Sequence, residues 1–147
     1  MIVDDKIIGY VLYKMRTINE VRQKCKRLKL SEDYTDDVIN YLVEAGYLDD
    51  KNYAQKYVEN VMRLKNSSRS EIKTDLMRRG VAPDIIDDVI DNEEVYEFEN
   101  TSCDILAEKK FKTTDDILKV KKYLLSKGYS FDAVSKAIDN LPRKDDN

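Results

Sequence analysis

Tyr34-Thr35-Asp36-Asp37-Val38-Ile39 and Ile85-Ile86-Asp87-Asp88-Val89-Ile90 are the same six columns written twice, 51 residues apart. The chain writes them a third time, more faintly, as Ala133-Val134-Ser135-Lys136-Ala137-Ile138, a further 48 residues on. The two offsets also align the segment upstream: Val21 with Ile72 and Val120, Cys25 with Leu76 and Leu124, Asp33 with Asp84 and Asp132. Gly80 falls on Gly128, and the first copy carries Lys29 in that column. Self-similarity at a period of this size marks stacked copies of one supersecondary unit, none of which buries its apolar face alone. Such arrays present an extended surface, so the repeat points to binding.

Around these columns the apolar residues follow a helical period. Ile7, Ile8, Val11, Leu12 and Met15 form one stripe, and Tyr53, Ala54, Tyr57, Val58, Val61 and Met62 another. Each stripe opens a unit as its helix A. Helix B follows at a start signal: Thr17 with Glu20 and Ser68 with Glu71 fit the capping box, in which hydroxyl and carboxylate satisfy orphan amides. In the third copy Thr114 is the expected cap, with Asp115 and Asp116 as first-turn acids. Gly80 and Gly128 close helix B where a left-handed residue is needed. Helix C is expected from about Glu32 to Ala45, Pro83 to Asn92 and Phe131 to Leu141. Gly46 to Asp50 joins the first unit to the second, and Asn92 to Glu97 forms a less regular second junction.

The pattern predicts an all-α fold, an elongated curved array of three tandem three-helix repeats over residues 1–48, 49–92 and 93–141, with a frayed tail at 142–147. The expected cores are Val21, Cys25, Val38 and Ile39; Ile72, Leu76, Ile86 and Val89; and Val120, Leu124, Val134 and Ile138. Tyr41, Tyr53 and Tyr57 lie on apolar stripes and are expected in the cores rather than stacked on bases.

Composition narrows the chemistry. The chain has no histidine, which removes the commonest general base and metal ligand and every Ser-His or Cys-His nucleophile pair. Cys25 and Cys103 are far apart, and Cys25 fills a core column, so free buried thiols and a reducing cytoplasm are expected. No run approaches the roughly 20 apolar residues that cross a bilayer, and Asp4, Asp5 and Lys6 interrupt the N-terminal apolar stretch, so neither span nor leader is expected.

The net charge of −3 conceals an alternation. Lys14 to Lys29 carries seven basic residues against Glu20, Lys51 to Gly80 eight against three acids, and Lys109 to Lys127 seven against two. Between them Ser31 to Asp50 is −7 and Ala82 to Glu108 is −10, with no lysine or arginine in either. Helix B is therefore the basic element, and in-register stacking would set the basic helices side by side. Arg22, Lys73 and Lys121 share one column, each following a core residue; Arg27 and Arg78 share a second, with Lys127 displaced by one. Arg63, Lys65, Arg69 and Lys73 cluster about the turn between helices A and B of the central unit. Cations repeated along a polyanion give sequence-independent affinity through counterion release. The competing reading of the same columns is a solvated helix face. The aspartate pairs Asp36-Asp37, Asp49-Asp50 and Asp87-Asp88 invite a metal-site reading, but neighbours on a helix point about 100° apart.

With these features placed, the chain resembles the RecX family, bacterial regulators of the RecA recombinase. Gly46-Tyr47-Leu48-Asp49-Asp50-Lys51-Asn52-Tyr53-Ala54 is similar to that family's signature. Ser70-Glu71-Ile72, Leu76, Arg79-Gly80 and Ile86 follow at the expected distance, and Lys121 to Phe131 is similar to its closing repeat. The resemblance implies a monomeric, non-enzymatic cytoplasmic protein with no cofactor, no metal and no catalytic residue. It implies binding to the RecA filament on single-stranded DNA and inhibition of strand exchange and coprotease activity, hence a part in homologous recombination, DNA repair and the SOS response. The acidic total of this chain, where many members are basic, points to weak affinity for that DNA alone. The residues expected to meet filament or nucleic acid are Arg22, Arg27, Arg63, Lys65, Arg69, Lys73, Arg78, Lys121, Lys122 and Lys127. The alternatives are a helical-repeat module for another acidic or filamentous partner, and a carboxylate-based, metal-dependent nuclease.

Overall fold

Every apolar stripe becomes a helix. The computed structural model describes residues 1–142, and among them are nine α-helices and no strand. They are α1 (Asp5–Tyr13), α2 (Ile18–Arg27), α3 (Glu32–Glu44), α4 (Asp50–Leu64), α5 (Arg69–Arg78), α6 (Pro83–Ile90), α7 (Glu93–Phe111), α8 (Ile117–Ser126) and α9 (Phe131–Asp139). Helix B of the three copies is thus α2, α5 and α8. None of the described helices is long and apolar enough to cross a membrane. The tail expected at 142–147 lies, from residue 143 on, outside the described residues.

Most boundaries follow the caps. Thr17 forms the full capping box with Glu20, and Ser31 and Ser130 accept amide bonds from Tyr34 and Ala133. Two expectations change. Asp116, not Thr114, caps α8: its carboxylate accepts from the Leu118 amide, while the Thr114 hydroxyl accepts from the Asp116 amide one step earlier. Asn92 caps α7, so the stretch read as an irregular junction is that helix's first turn. Gly46, Gly80 and Gly128 have φ of +83°, +84° and +89°, and Lys29 holds the same left-handed region at +59°.

The chain divides into two compact units: Met1–Tyr57 with Asp75–Val89, and Val58–Thr74 with the residues from Ile90 onward. The central copy therefore contributes to both. In the first unit Val3, Ile7, Val21, Cys25, Val38, Ile39, Leu42 and Leu48 form a buried cluster. In the second, Cys103, Ala107, Val120, Leu124, Tyr129, Ala133, Val134, Ala137 and Leu141 do the same, with Ile138 partly buried against them. From the central copy Ile72, Leu76, Ile86 and Val89 are buried too. All twelve residues expected in cores are buried or pack on one.

A hydrogen-bonded joint appears once in each unit. In the first, the buried Thr17 hydroxyl accepts from the Glu20 amide and donates to the Arg79 carbonyl at 2.7 Å. The next amide, Ile18, donates to Asp50 at 2.9 Å. In the second, the buried Ser68 hydroxyl accepts from the Glu71 amide and donates to the Lys127 carbonyl at 2.8 Å. The next amide, Arg69, donates to the buried Glu99 carboxylate at 2.6 Å. Each joint sets the N-terminus of one helix B against the C-terminal turn of the following one. The one hydroxyl serves both helix ends, accepting from an orphan amide and donating to an orphan carbonyl, and opposite ends of two helix dipoles meet.

Candidate functional site

Within the first unit the start of α2 meets the last turn of α5, where the Thr17 hydroxyl bonds the Arg79 carbonyl. Arg78 is thus beside the first turn of α2, whereas Arg27 closes that helix. Ten residues at 1.5 Å each separate them by about 15 Å. Within the first unit Arg27 and Arg78 are thus spaced apart rather than clustered.

Their environments differ. In the first unit Arg27 and Arg78 are exposed, Arg78 with a loose 3.8 Å approach to Asp75. Arg22 is half-buried and pairs with Asp36 at 2.8 Å. A surface pair of this kind is worth under about 1 kcal/mol, so a phosphate can displace the carboxylate. In the second unit Lys65, Lys121, Lys122 and Lys127 are exposed. Arg63 is exposed and donates to Asn60 at 3.1 Å. Lys73 is half-buried. Arg69 is committed to the fold: its Nε donates to the Ile90 carbonyl at 3.3 Å, and its guanidinium lies 3.9 Å from the centre of the Tyr96 ring.

Column recurrence missed the cations that stack on tyrosine. Arg16 lies 3.7 Å above the Tyr10 ring and donates to the Tyr10 carbonyl, with Lys24 5.4 Å from the same ring. Arg79 covers Tyr57 at 4.7 Å and donates to the Tyr53 hydroxyl at 2.6 Å. The Tyr57 phenol donates to Asp75 at 2.8 Å, and burial, then that bond, pushes its pKa up to about 12. Of these pairs only Tyr10–Arg16 is close in sequence; Lys24 and Arg79 reach tyrosines 14 to 26 residues away, so no local pattern signals them. Tyr53 is buried and Tyr57 half-buried as expected; Tyr41 is instead exposed.

Known proteins match this arrangement. Residues 49–90 match the family model described as RecX, second three-helix domain. Regulatory protein RecX of Clostridium botulinum is 34% identical over 132 residues, covering 84% of this chain and 61% of that protein. Its counterpart in Finegoldia magna is 31% identical over 144 residues, covering 93% of this chain and 70% of that protein. The crystal structure of RecX from Lactobacillus salivarius superposes with a TM-score of 0.84 at 30% identity, covering 93% of this chain and 92% of that one. The chain belongs to the RecX family of regulatory proteins. It spans 61% of the Clostridium botulinum relative and 52% of the Staphylococcus carnosus one.

In this RecX-family chain the signature segment has structural duties, residue by residue. Gly46 takes the left-handed turn after α3, and Leu48 is buried in the first core. Asp49 accepts from the Asn52 amide at 3.0 Å and so caps α4. Asp50 takes the Ile18 amide, Tyr53 is held by Arg79, and Ala54 is fully buried. Burial raises the Asp50 pKa above its usual 3.8, opposed by the Ile18 bond and reinforced by Asp49 and Glu20. The aspartates read as possible metal ligands are thus partly engaged elsewhere: Asp36 by Arg22, Asp49 and Asp50 by amides. Among the described residues no group of three or more His, Cys, Asp or Glu is placed to hold a metal.

Proposed function

We propose that this protein is a non-enzymatic, cytoplasmic modulator of the RecA recombinase, acting as a monomer. It lies along the filament of RecA on single-stranded DNA and limits strand exchange and coprotease activity. The observation that carries the reading is the exposure of Arg27, Arg78, Lys121, Lys122 and Lys127 on or beside the three B helices of a RecX-family chain. A net charge of −3 keeps affinity for bare DNA low, while local positive charge on these helices still engages phosphates. Cations spaced along successive helices suit a long, periodic partner, where each further contact is effectively intramolecular.

The test titrates the protein into RecA filaments on single-stranded DNA while filament length and ATP hydrolysis are followed. Shortened filaments and reduced hydrolysis are expected. Reversing Arg27, Arg78 and Lys121 to glutamate weakens the effect and flattens the salt dependence of DNA binding by about one unit of slope per lost phosphate contact. Unchanged filaments at saturating protein refute the reading. Metal-dependent DNA cleavage replaces it with the nuclease.

A further inference from the structure

The sequence stripe of α1 implies burial of Ile8, Leu12 and Met15, yet the structure leaves them open. Ile8, Val11 and Leu12 from α1, Tyr41 and Leu42 from α3, and Tyr47 line a cleft of about 170 Å³ within the first unit. Val3 and Leu42 form its buried floor, whereas Ile8 is 37% exposed, Leu12 64%, Tyr41 42% and Tyr47 55%. A cavity of about 150 Å³ holds a benzene ring, so this cleft takes one large apolar side chain.

Charge around the cleft says what covers it. Residues three and four apart share a helix face. Ile8 shares its face with Asp4 and Asp5, and Tyr41 with Asp37 and Glu44. Of the nearby cations, the Met1 α-ammonium belongs to a residue that lines the cleft, while Arg16, beyond the end of α1, is held over the Tyr10 ring. Lys14 follows the helix in an extended conformation, off its face. An acidic rim repels nucleic acid, and an apolar floor offers phosphate nothing.

We propose that this cleft docks an amphipathic helical segment of a protein partner, which inserts one large apolar side chain and sets lysines or arginines against Asp5, Asp37 and Glu44. The surface is independent of the basic B helices, so it provides a second, chemically opposite contact. An apolar anchor supplies the affinity, and the flanking charges select orientation.

The experiment uses the full chain and a fluorescently labelled amphipathic helical peptide of leucine and lysine, with a leucine–glutamate peptide as its counterpart. The leucine–lysine peptide is expected to bind saturably, and the leucine–glutamate peptide not to bind. Leu12→Asp should weaken binding by about tenfold or more, the loss of one buried leucine contact, although it adds a negative charge. Glu44→Lys should weaken it further. Tyr47→Ser provides a second apolar variant, and circular dichroism confirms that each variant keeps its helices. Equal or tighter binding to Leu12→Asp and Tyr47→Ser shows plain charge attraction and overturns the proposal. So does equal binding of the acidic peptide, or no binding at all. A concentration-dependent dimer abolished by Leu12→Asp assigns the cleft to a second copy of the chain and overturns it as well.

Discussion

Replacing Gly80 with alanine tests the joint directly. Gly80 has φ +84°, where a side chain is strained. A Cβ there would also run into the Cβ and Cγ of Asn19, in the first turns of α2. Asn19 Cβ is fixed to its backbone, so α2 itself must shift. Left-handed strain costs about 1–2 kcal/mol, and overpacking a close contact a further 1–3 kcal/mol. Gly80→Ala should therefore lose about 2–5 kcal/mol. At Gly128 the new Cβ would lie 3.0 Å from the Ser68 hydroxyl oxygen and from Ser70 Cβ. Those neighbours need to give only slightly, so Gly128→Ala should lose about 1–3 kcal/mol, mostly strain. Lys29 holds the homologous left-handed position, and its side chain is exposed. Lys29→Gly removes the strain at the cost of glycine's extra unfolded freedom, for a net gain of at most about 1 kcal/mol. Urea unfolding followed by circular dichroism measures all three. The decisive comparison is the coupling of Gly80→Ala with Asn19→Gly, which deletes the opposing Cβ and should recover about 1–3 kcal/mol. If Gly80→Ala costs no more than Gly128→Ala and the coupling is zero, only the dihedral matters and the packing part of the argument fails.

Other outcomes follow from the same geometry. Thr17→Val and Ser68→Ala each remove a cap and strand a carbonyl, Arg79 or Lys127, so each should lower unfolding free energy by about 2–3 kcal/mol; Ser68→Thr should retain most of it. The Asp50 pKa is raised in the folded protein, so its contribution is full below the usual 3.8 and is lost as pH rises through the folded value. Asp50→Asn, whose carbonyl still accepts the Ile18 amide, should gain on the native protein as pH rises from acid to neutral; a pH-independent difference contradicts the assignment. Burial pushes the Cys103 thiol up to about 12, helped by Asp104 and Glu99, and Cys25 is fully buried. Both should resist a thiol reagent at neutral pH until urea unfolds the chain.

What could be read from sequence was whatever recurs. The columns through Val21, Leu76 and Leu124 recur because burial imposes one residue type at one place on each helix, and all three are fully buried. The Thr17 and Ser68 caps were legible for the same reason. The end-to-end joint was not, because nothing in a local pattern says that a cap hydroxyl has a proton to spare for a carbonyl about 60 residues away. Gly80 and Gly128 looked like ordinary C-caps; the crowding by Asn19 and by Ser68 with Ser70 shows a second reason for glycine there. Periodicity also overstated the core, since the stripes containing Leu12 and Tyr41 are wider than the face their neighbours cover. At the candidate site the charge columns mix exposed Arg27 and Lys121 with half-buried Arg22 and Lys73, and the stack of Arg69 on Tyr96 depends on tertiary position that no local pattern shows.

The joint also separates folding from binding at adjacent residues. Lys127 offers its carbonyl to Ser68, while its side chain is exposed, with Nζ 5.7 Å from the centre of the Tyr123 ring. Lys127→Glu leaves the carbonyl in place. It puts a negative charge at a helix C-terminus, which costs about 0.3–1 kcal/mol, so stability should hold within about that range. If Lys127 contacts phosphate, the same change should weaken filament binding and reduce the salt slope by about one unit. Gly128→Ala next to it should do the reverse, lowering stability while the folded fraction binds as before. Urea midpoints read one effect, and binding at several salt concentrations reads the other. A stability loss in Lys127→Glu equal to that of Gly128→Ala would place the side chain in the joint. Native stability with undiminished binding would make Lys127 a solvated cation, and the proposed contact surface would then have to rest on Arg27, Arg78, Lys121 and Lys122.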